Sequence, residues 1–402
     1  MRILMATDTY PPDVSGSAVF ARRLARGMSG LGHEVHVVCS SENGPNKLLV
    51  DDEGVRIHRL ASLPLPVHPP LRFASPIGAR RRLRDLLADI RPEVLHAQDH
   101  FTIGRAAIRA ATECGIPVVA TNHFMPQNLT PYLPPPCRPL VTRAAWADFR
   151  RIYRTADRVT APTPAAAALV RRHGLPQPIE PISCGVDIDT FHPPAVPGGG
   201  RRALGLPDAP TIGYVGRLDA DKHVIELIRA IARLADLGPA QLVLVGSGAR
   251  RHALEKVAAD VGVTNRVHFL GFVPDAQLPQ VYSAFDAFCM PGTAELQSIA
   301  TLEALATGLP VVLADALALP HLVQQGANGF LYPPGDIDEL ARSLRTLLTC
   351  DRRPMSVVSR QIAERHAATR TVARFDEIYR RLTAMATALR AAGDADGPDR
   401  PR

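Results

Sequence analysis

Phe191-His192-Pro193-Pro194-Ala195-Val196-Pro197-Gly198-Gly199-Gly200 interrupts an otherwise regular alternation of short apolar runs and longer helical patterns. Its prolines remove backbone donors and its glycines loosen the chain, so the stretch predicts a flexible linker. Before it, strands are predicted over 2–6, 34–38, 55–60, 94–96, 118–121 and 158–161, with helices over 18–31 and 103–113. After it, the rhythm restarts with strands over 211–215, 241–245, 267–270, 287–290 and 311–314 and helices over 224–237 and 298–306. Such alternation implies parallel sheets covered by helices on both faces. The fold class is therefore α/β, with two doubly wound, Rossmann-like domains over 1–185 and 208–370. Residues 186–207 link them, and a ligand cleft is expected between them. A helix over 371–390, apolar at 372, 375, 378, 379, 382 and 385, is expected to cross back to the first domain. The Asp/Gly/Pro/Arg-rich residues 391–402 read as a disordered tail.

The 402 residues suffice for two cores, and 46% apolar with 21% charged residues is a globular balance. A net charge of +7 favours anionic partners. Only three of the 46 basic residues are lysines (Lys47, Lys222, Lys256), and 37 prolines accompany the arginines. That skew reflects genome composition rather than a nucleic-acid footprint. At 5% aromatics the stacking platforms of single-strand binders are missing, so no nucleic-acid partner is expected. Cys39, Cys114, Cys137, Cys184, Cys289 and Cys350 are scattered without a CxxC pair, which predicts reduced thiols. The chain starts directly in a strand, and no apolar run approaches the ~20 residues that span a bilayer. A cytoplasmic protein is expected, at most peripheral on the inner face of the cell membrane.

The segment Pro291-Gly292-Thr293-Ala294-Glu295-Leu296-Gln297-Ser298-Ile299-Ala300-Thr301-Leu302-Glu303-Ala304 carries the most chemistry. A strand ends before it and a helix begins near Ser298, leaving N–H groups at 297–299 and a positive dipole end suited to a diphosphate. Glu295 lies just outside the helix, within reach of a sugar, and Glu303 lies inside it, where a ribose could donate to it. Two glutamates that merely decorate a helix are the ordinary alternative. After the strand over 211–215 comes Gly216-Arg217-Leu218-Asp219-Ala220-Asp221-Lys222, whose two cations could neutralise a leaving diphosphate. A solvated loop pair is the rival reading, weakened by the rarity of lysine.

Glu295-x7-Glu303 followed by Ala304-Leu305-Ala306-Thr307-Gly308-Leu309-Pro310, together with Gly216-Arg217 and Lys222, resembles family 4 of the retaining glycosyltransferases, of GT-B fold. Within it the chain looks like diacylglycerol glucosyltransferases and phosphatidylinositol mannosyltransferases. Tyr10-Pro11-Pro12 with Ser15-Gly16 resembles the loop that approaches donor phosphates, with Ser15 where Gly is usual. Gly185-Val186-Asp187 looks like the family's interdomain motif, with Cys184 where Asn is usual. Gly246-Ser247-Gly248 and Gly271-Phe272-Val273 resemble nucleotide-facing loops, with Val273 backbone at the base. His123, after the strand over 118–121, corresponds to the histidine that bonds the donor sugar. The resemblance thus implies catalytic roles for His123, Glu295, Arg217 and Lys222. It implies donor binding by Gly16, Arg217, Lys222, Val273, Glu295, Gln297, Ser298, Ile299 and Glu303.

Asp187-Ile188-Asp189, Asp219-Ala220-Asp221, Asp336-Ile337-Asp338 and Asp394-Ala395-Asp396 have the Asp-x-Asp form that binds metal in another glycosyltransferase fold. Four copies in unrelated contexts suggest chance, so no metal or other cofactor is expected. The Gly-x-Gly-x-x-Gly fingerprint of dinucleotide binding is missing after the first strand. On residues 76–92, Leu83, Leu86, Leu87 and Ile90 share one helical face beside Arg80, Arg81, Arg84 and Arg91. This stripe reads as a contact for an anionic membrane surface or as an ordinary solvated face. The expected function is retaining transfer of a hexose from a UDP- or GDP-sugar to a lipid or small-molecule hydroxyl, giving an α-glycoside. A front-face displacement is favoured, with Glu295 as covalent nucleophile the mechanistic alternative. The rival functions are a sugar-nucleotide epimerase of the same build and a non-catalytic nucleotide-sugar-binding protein.

Overall fold

The computed structural model describes residues 1–13, 15–41, 46–51, 53–65, 68–126 and 134–395. The chain divides into two compact units, residues 1–183 with 369–402, and residues 184–368. The first contains β1 (Arg2–Ala6), α1 (Gly16–Gly30), β2 (Glu34–Ser40), β3 (Lys47–Val50), β4 (Arg56–Leu60), the hairpin β5 (Ser62–Leu65) and β6 (His68–Ala74), and α2 (Pro76–Ile90). It continues with β7 (Val94–Ala97), α3 (Thr102–Glu113), β8 (Val118–Thr121), α4 (Arg138–Tyr153), β9 (Arg158–Ala161), α5 (Pro164–Arg172) and β10 (Ile179–Pro181). The second holds α6 (Gly200–Ala203), β11 (Thr211–Val215), α7 (Ile225–Ala232), β12 (Gln241–Val245), α8 (Arg251–Asp260), β13 (Val267–Gly271) and α9 (Leu278–Tyr282). Then follow β14 (Ala287–Met290), α10 (Ile299–Ala306), β15 (Val311–Ala314), β16 (Gly329–Tyr332), α11 (Ile337–Thr349) and α12 (Arg353–Arg365). The last helix, α13 (Ala368–Ala395), clusters with the first unit from Thr369 onwards.

The second sheet has the order β13-β12-β11-β14-β15-β16, parallel throughout. Every residue of β11, β12, β14 and β15 is buried, as a sheet covered on both faces requires. The strand order reverses between β11 and β14, and the carboxyl ends of strands at such a reversal are where doubly wound sheets bind ligands. The first sheet runs β10-β9-β8-β7-β1-β2-β4-β3, parallel except for the edge strand β3. Its reversal falls between β7 and β1, which places Thr7 and Asp8 beside Asp99.

The 191–200 stretch does not behave as a flexible linker. Phe191 is buried in the second unit's core and its ring lies 5.7 Å from that of Tyr282. Gly200 starts α6 so close to α9 that a Cβ there would stand 2.3 Å from Gln280 O. One aromatic anchor and one missing side chain outweigh what the prolines and glycines suggest. Residues 391–395, expected within a disordered tail, continue α13, since alanines at 391 and 392 favour helix. The remainder of that tail lies outside the described residues. Helix α13 is fixed by Phe375, Ile378, Tyr379 and Leu382, all buried. Its His33 partner, Asp376, accepts at 2.7 Å, and α1 offers Gly27, where a Cβ would meet Val372 at 2.4 Å. Among the described residues, no helix is long and apolar enough to cross a membrane.

Candidate active site

In the second unit the loops after β11 and β14 meet at the strand-order reversal. The β11 loop is fixed by its neighbour after β12: Gly216 N donates to Val245 O at 2.9 Å, and Leu218 N to Ser247 O at 2.9 Å. Gly246 (φ 128°) permits this, because a Cβ there would lie 1.9 Å from Gly216 O. The loop then carries its charges inward. Lys222 Nζ donates to Glu295 Oε1 at 2.6 Å and lies 3.7 Å from Asp221. Arg217 is bonded to Asp219 and, at 3.2 Å, to Asp221.

Arg217 and Lys222 are therefore matched by three carboxylates, a pairing that charge spacing alone did not foretell. A largely buried ammonium requires counter-charge, and here Glu295 and Asp221 supply it. Burial would lower the Lys222 pKa, but those two carboxylates outweigh it and the pKa is raised. The lysine stays cationic at any physiological pH. Asp219 has a second task, accepting from Ala249 N at 3.0 Å, which fastens the β12 loop. None of the described Asp-x-Asp pairs is idle. Asp187 accepts from Asp189 N, Thr190 N and the Thr190 hydroxyl, Asp336 caps α11, and Asp338 pairs with Arg233.

Helix α10 begins beside this cluster. Ser298 is its N-cap, accepting from Thr301 N at 3.2 Å and from the Thr301 hydroxyl at 2.8 Å. Among the described residues the first-turn amides of Ile299 and Ala300 bond to no other group, which leaves them for a ligand or water. Gly292 allows the β14 loop to fold onto the charges, since a Cβ there would be 3.0 Å from Glu295 Oε1. Gln297 turns its side chain back, its Oε1 accepting from Cys184 N at 2.6 Å. Glu303 is buried on the second turn, where its Oε2 accepts from Tyr282 Oη at 3.0 Å. Val273 is half-buried against the core in the loop after β13.

In the first unit, Gly16 is the exposed first residue of α1, whose N-cap Ser15 accepts from Ala18 N at 3.2 Å. Buried Asp8 accepts from Ile103 N and Gly104 N at the start of α3, while its own N–H donates to Asp99. Burial and then the Asp99 charge push its carboxyl pKa well above the usual carboxylate range. His123 follows β8, its ring 4.6 Å from Phe20 and its Nε2 3.2 Å from Gln98 Oε1. Burial lowers its pKa to about 4, so the imidazole is neutral at pH 7. Gln98 escaped sequence reasoning, although its place just past β7, at the reversal, was a readable signal. Arg80, Arg81, Arg84 and Arg91 are exposed, with Arg84 bonded to Glu113 at 2.7 Å and Arg80 3.4 Å from it. Leu83, Leu86, Leu87 and Ile90 face inward, as their spacing predicts.

A GT-B pair of Rossmann-like units, one presenting paired cations at the foot of a helix, is the frame of a sugar-transferring enzyme. Residues 14–190 match the family model described as Glycosyltransferase Family 4, and residues 201–364 that of Glycosyl transferases group 1. The chain is a glycosyltransferase built from these two family domains. It is 29% identical over 363 residues to a GDP-mannose-dependent alpha-mannosyltransferase of Mycobacterium tuberculosis, spanning 90% of this chain and 91% of that one. It is 28% identical over 404 residues to that organism's GDP-mannose-dependent alpha-(1-6)-phosphatidylinositol dimannoside mannosyltransferase, spanning 98% and 100%. The fold is shared with sucrose-phosphate synthase of Thermosynechococcus elongatus, at a TM-score of 0.80 and 22% identity over 96% of this chain and 99% of that one.

Proposed function

We propose that the protein is a retaining hexosyltransferase that moves a sugar from a nucleoside-diphosphate donor to a lipid or small-molecule hydroxyl, forming an α-glycosidic bond. The observation that carries this reading is the Arg217/Lys222/Glu295 cluster at the N-terminus of α10. An incoming diphosphate supplies the negative charge that Asp221 and Glu295 now provide, and the α10 amides take its remaining oxygens. Glu303 holds the ribose, backbone at Val273 the base, and His123 a sugar hydroxyl. The relatives named for GDP-mannose support that donor as the first to try, with UDP-hexoses next.

Departure of the diphosphate leaves an oxyanion on the face where the acceptor hydroxyl approaches. That oxygen takes the acceptor proton as the new bond forms, so configuration is kept without a protein nucleophile. Glu295, which the diphosphate frees from Lys222, is the covalent nucleophile of the alternative route. Charge neutralisation is assigned to Arg217, Lys222 and the helix end, with no metal. A membrane lipid is the acceptor to try first, with Arg80, Arg81, Arg84 and Arg91 as the contact for the inner, anionic face of the cell membrane. Incubation with GDP-mannose, UDP-glucose and UDP-galactose, with and without native lipid extract, tests the reading. Transfer, or slow hydrolysis of one donor, supports it. A changed sugar configuration instead means an epimerase, and binding without turnover a sensor.

A further inference from the structure

The hydrogen bonds behind His123 have a readable polarity. Tyr379, buried on α13, keeps its proton because burial pushes its pKa well above the usual phenol value. Among the described residues its Oη has one hydrogen-bond partner, His96 Nδ1, at 2.5 Å. The phenol therefore donates, and Nδ1 is the bare nitrogen of His96. His96 is fully buried and neutral, its pKa lowered to about 3 by burial and then by His123. Its proton must sit on Nε2, which donates to Thr121 Oγ1 at 2.6 Å, and that hydroxyl in turn reaches Thr160 Oγ1 at 2.6 Å.

Gln98 reads this polarity. Its Nε2 lies 3.3 Å from the bare His96 Nδ1 and donates there, which turns its carbonyl Oε1 to His123 Nε2 at 3.2 Å. A carbonyl oxygen accepts and cannot donate, so His123 carries its proton on Nε2. Among the described residues Nδ1 of His123 has no hydrogen-bond partner. Phe20, itself 6.0 Å from Phe375 of α13, packs on the ring and limits its rotation.

We infer that Tyr379, His96 and Gln98 are positioning residues that lock His123 in the Nε2–H tautomer, so that its Nδ1 accepts a hydrogen bond from a hydroxyl of the donor sugar. The sugar contact rests on the reading of His123 given above, whereas the tautomer does not. The C-terminal helix thus sets the chemistry of a site residue on a different strand. The device demands a donor with a free hydroxyl at that position, since an acceptor-only group would meet a lone pair.

Long-range proton–nitrogen NMR of the full chain labelled in its histidine rings tests this, with His123 assigned by the signal lost in His123→Asn. The expected wild-type spectrum has a protonated Nε2 and a bare Nδ1. Gln98→Leu should mix the two tautomers and lower kcat/KM for donor hydrolysis roughly two- to tenfold, the worth of one hydrogen bond. Affinity for the free nucleoside diphosphate should stay unchanged, which separates the effect from misfolding. A wild-type His123 protonated on Nδ1, or ring signals unchanged in Gln98→Leu, would overturn the inference. If the signature appears but His123→Asn hydrolyses donor at the wild-type rate, the tautomer lock is upheld and the proposed sugar contact is overturned.

Discussion

Lys222 shows how much one side chain is asked to do: it is held by Glu295 at 2.6 Å and must exchange that carboxylate for a diphosphate. Removing one preorganised charge should cost on the order of 10²–10³ in kcat. Lys222→Ala and Arg217→Ala should show this loss at saturating donor, with a lowered thermal transition in Lys222→Ala because Asp221 and Glu295 lose their counter-charge, and a near-normal rate would show that neither cation serves the leaving group. His123 gives a second prediction at this scale. Its pKa, lowered to about 4 by burial, keeps the imidazole neutral above that value, and the acceptor lone pair is lost only as pH falls through it. The ratio of wild-type to His123→Asn kcat/KM for donor hydrolysis should therefore be flat from pH 8 to 5. An inflection near 6.5 in that ratio would mean an exposed, ordinary histidine. The carboxylates Asp219 and Asp221 were visible in the sequence only as a chance Asp-x-Asp. Their role as counter-charges depends on which loops the strand order brings together, which no local spacing states.

At the scale of elements, the strands of both sheets were legible because fully buried parallel strands form dense apolar runs. Edge strand β3 was not, since its residues are exposed and carry no alternation. The short β10, the second sheet's edge strand β16 and the β5–β6 hairpin were likewise missed, being too brief or too proline-rich to register. The 191–200 stretch misled because its composition is that of a linker, while its packing depends on Phe191 and on the close approach of Gly200 to α9. Helix α13 was legible as an apolar stripe, but its reach into the first sheet through Tyr379 was not. Phe375 on that helix is fully buried and touches Phe20 and His96. Phe375→Ala should cost about 3–5 kcal/mol of stability. Urea unfolding should show a lowered midpoint for the first unit, and an unshifted midpoint would mean that α13 is not anchored there.

For the whole molecule, two alternations of strand and helix sufficed to define a pair of Rossmann-like units, and motif resemblance named the enzyme class. Neither composition nor motif reveals the acceptor. If Arg80, Arg81, Arg84 and Arg91 face anionic lipid, replacing all four by glutamine should abolish sedimentation with anionic vesicles at low salt. Donor hydrolysis should persist in that variant, because the buried face of α2 keeps its core contacts. Each arginine near such a surface contributes roughly 1 kcal/mol, screened as salt shortens the Debye length. Equal sedimentation of variant and wild type would point to a soluble acceptor. The central claim, metal-independent transfer with retention, is tested most directly by the product itself. Native lipid extract should be incubated with ¹³C-labelled GDP-mannose and UDP-hexoses in EDTA, and the anomeric carbon of the glycolipid read by NMR. The account predicts an α-linked hexose formed at an undiminished rate. A β-linked product, or activity abolished by the chelator and restored by Mn²⁺ or Mg²⁺, would contradict it.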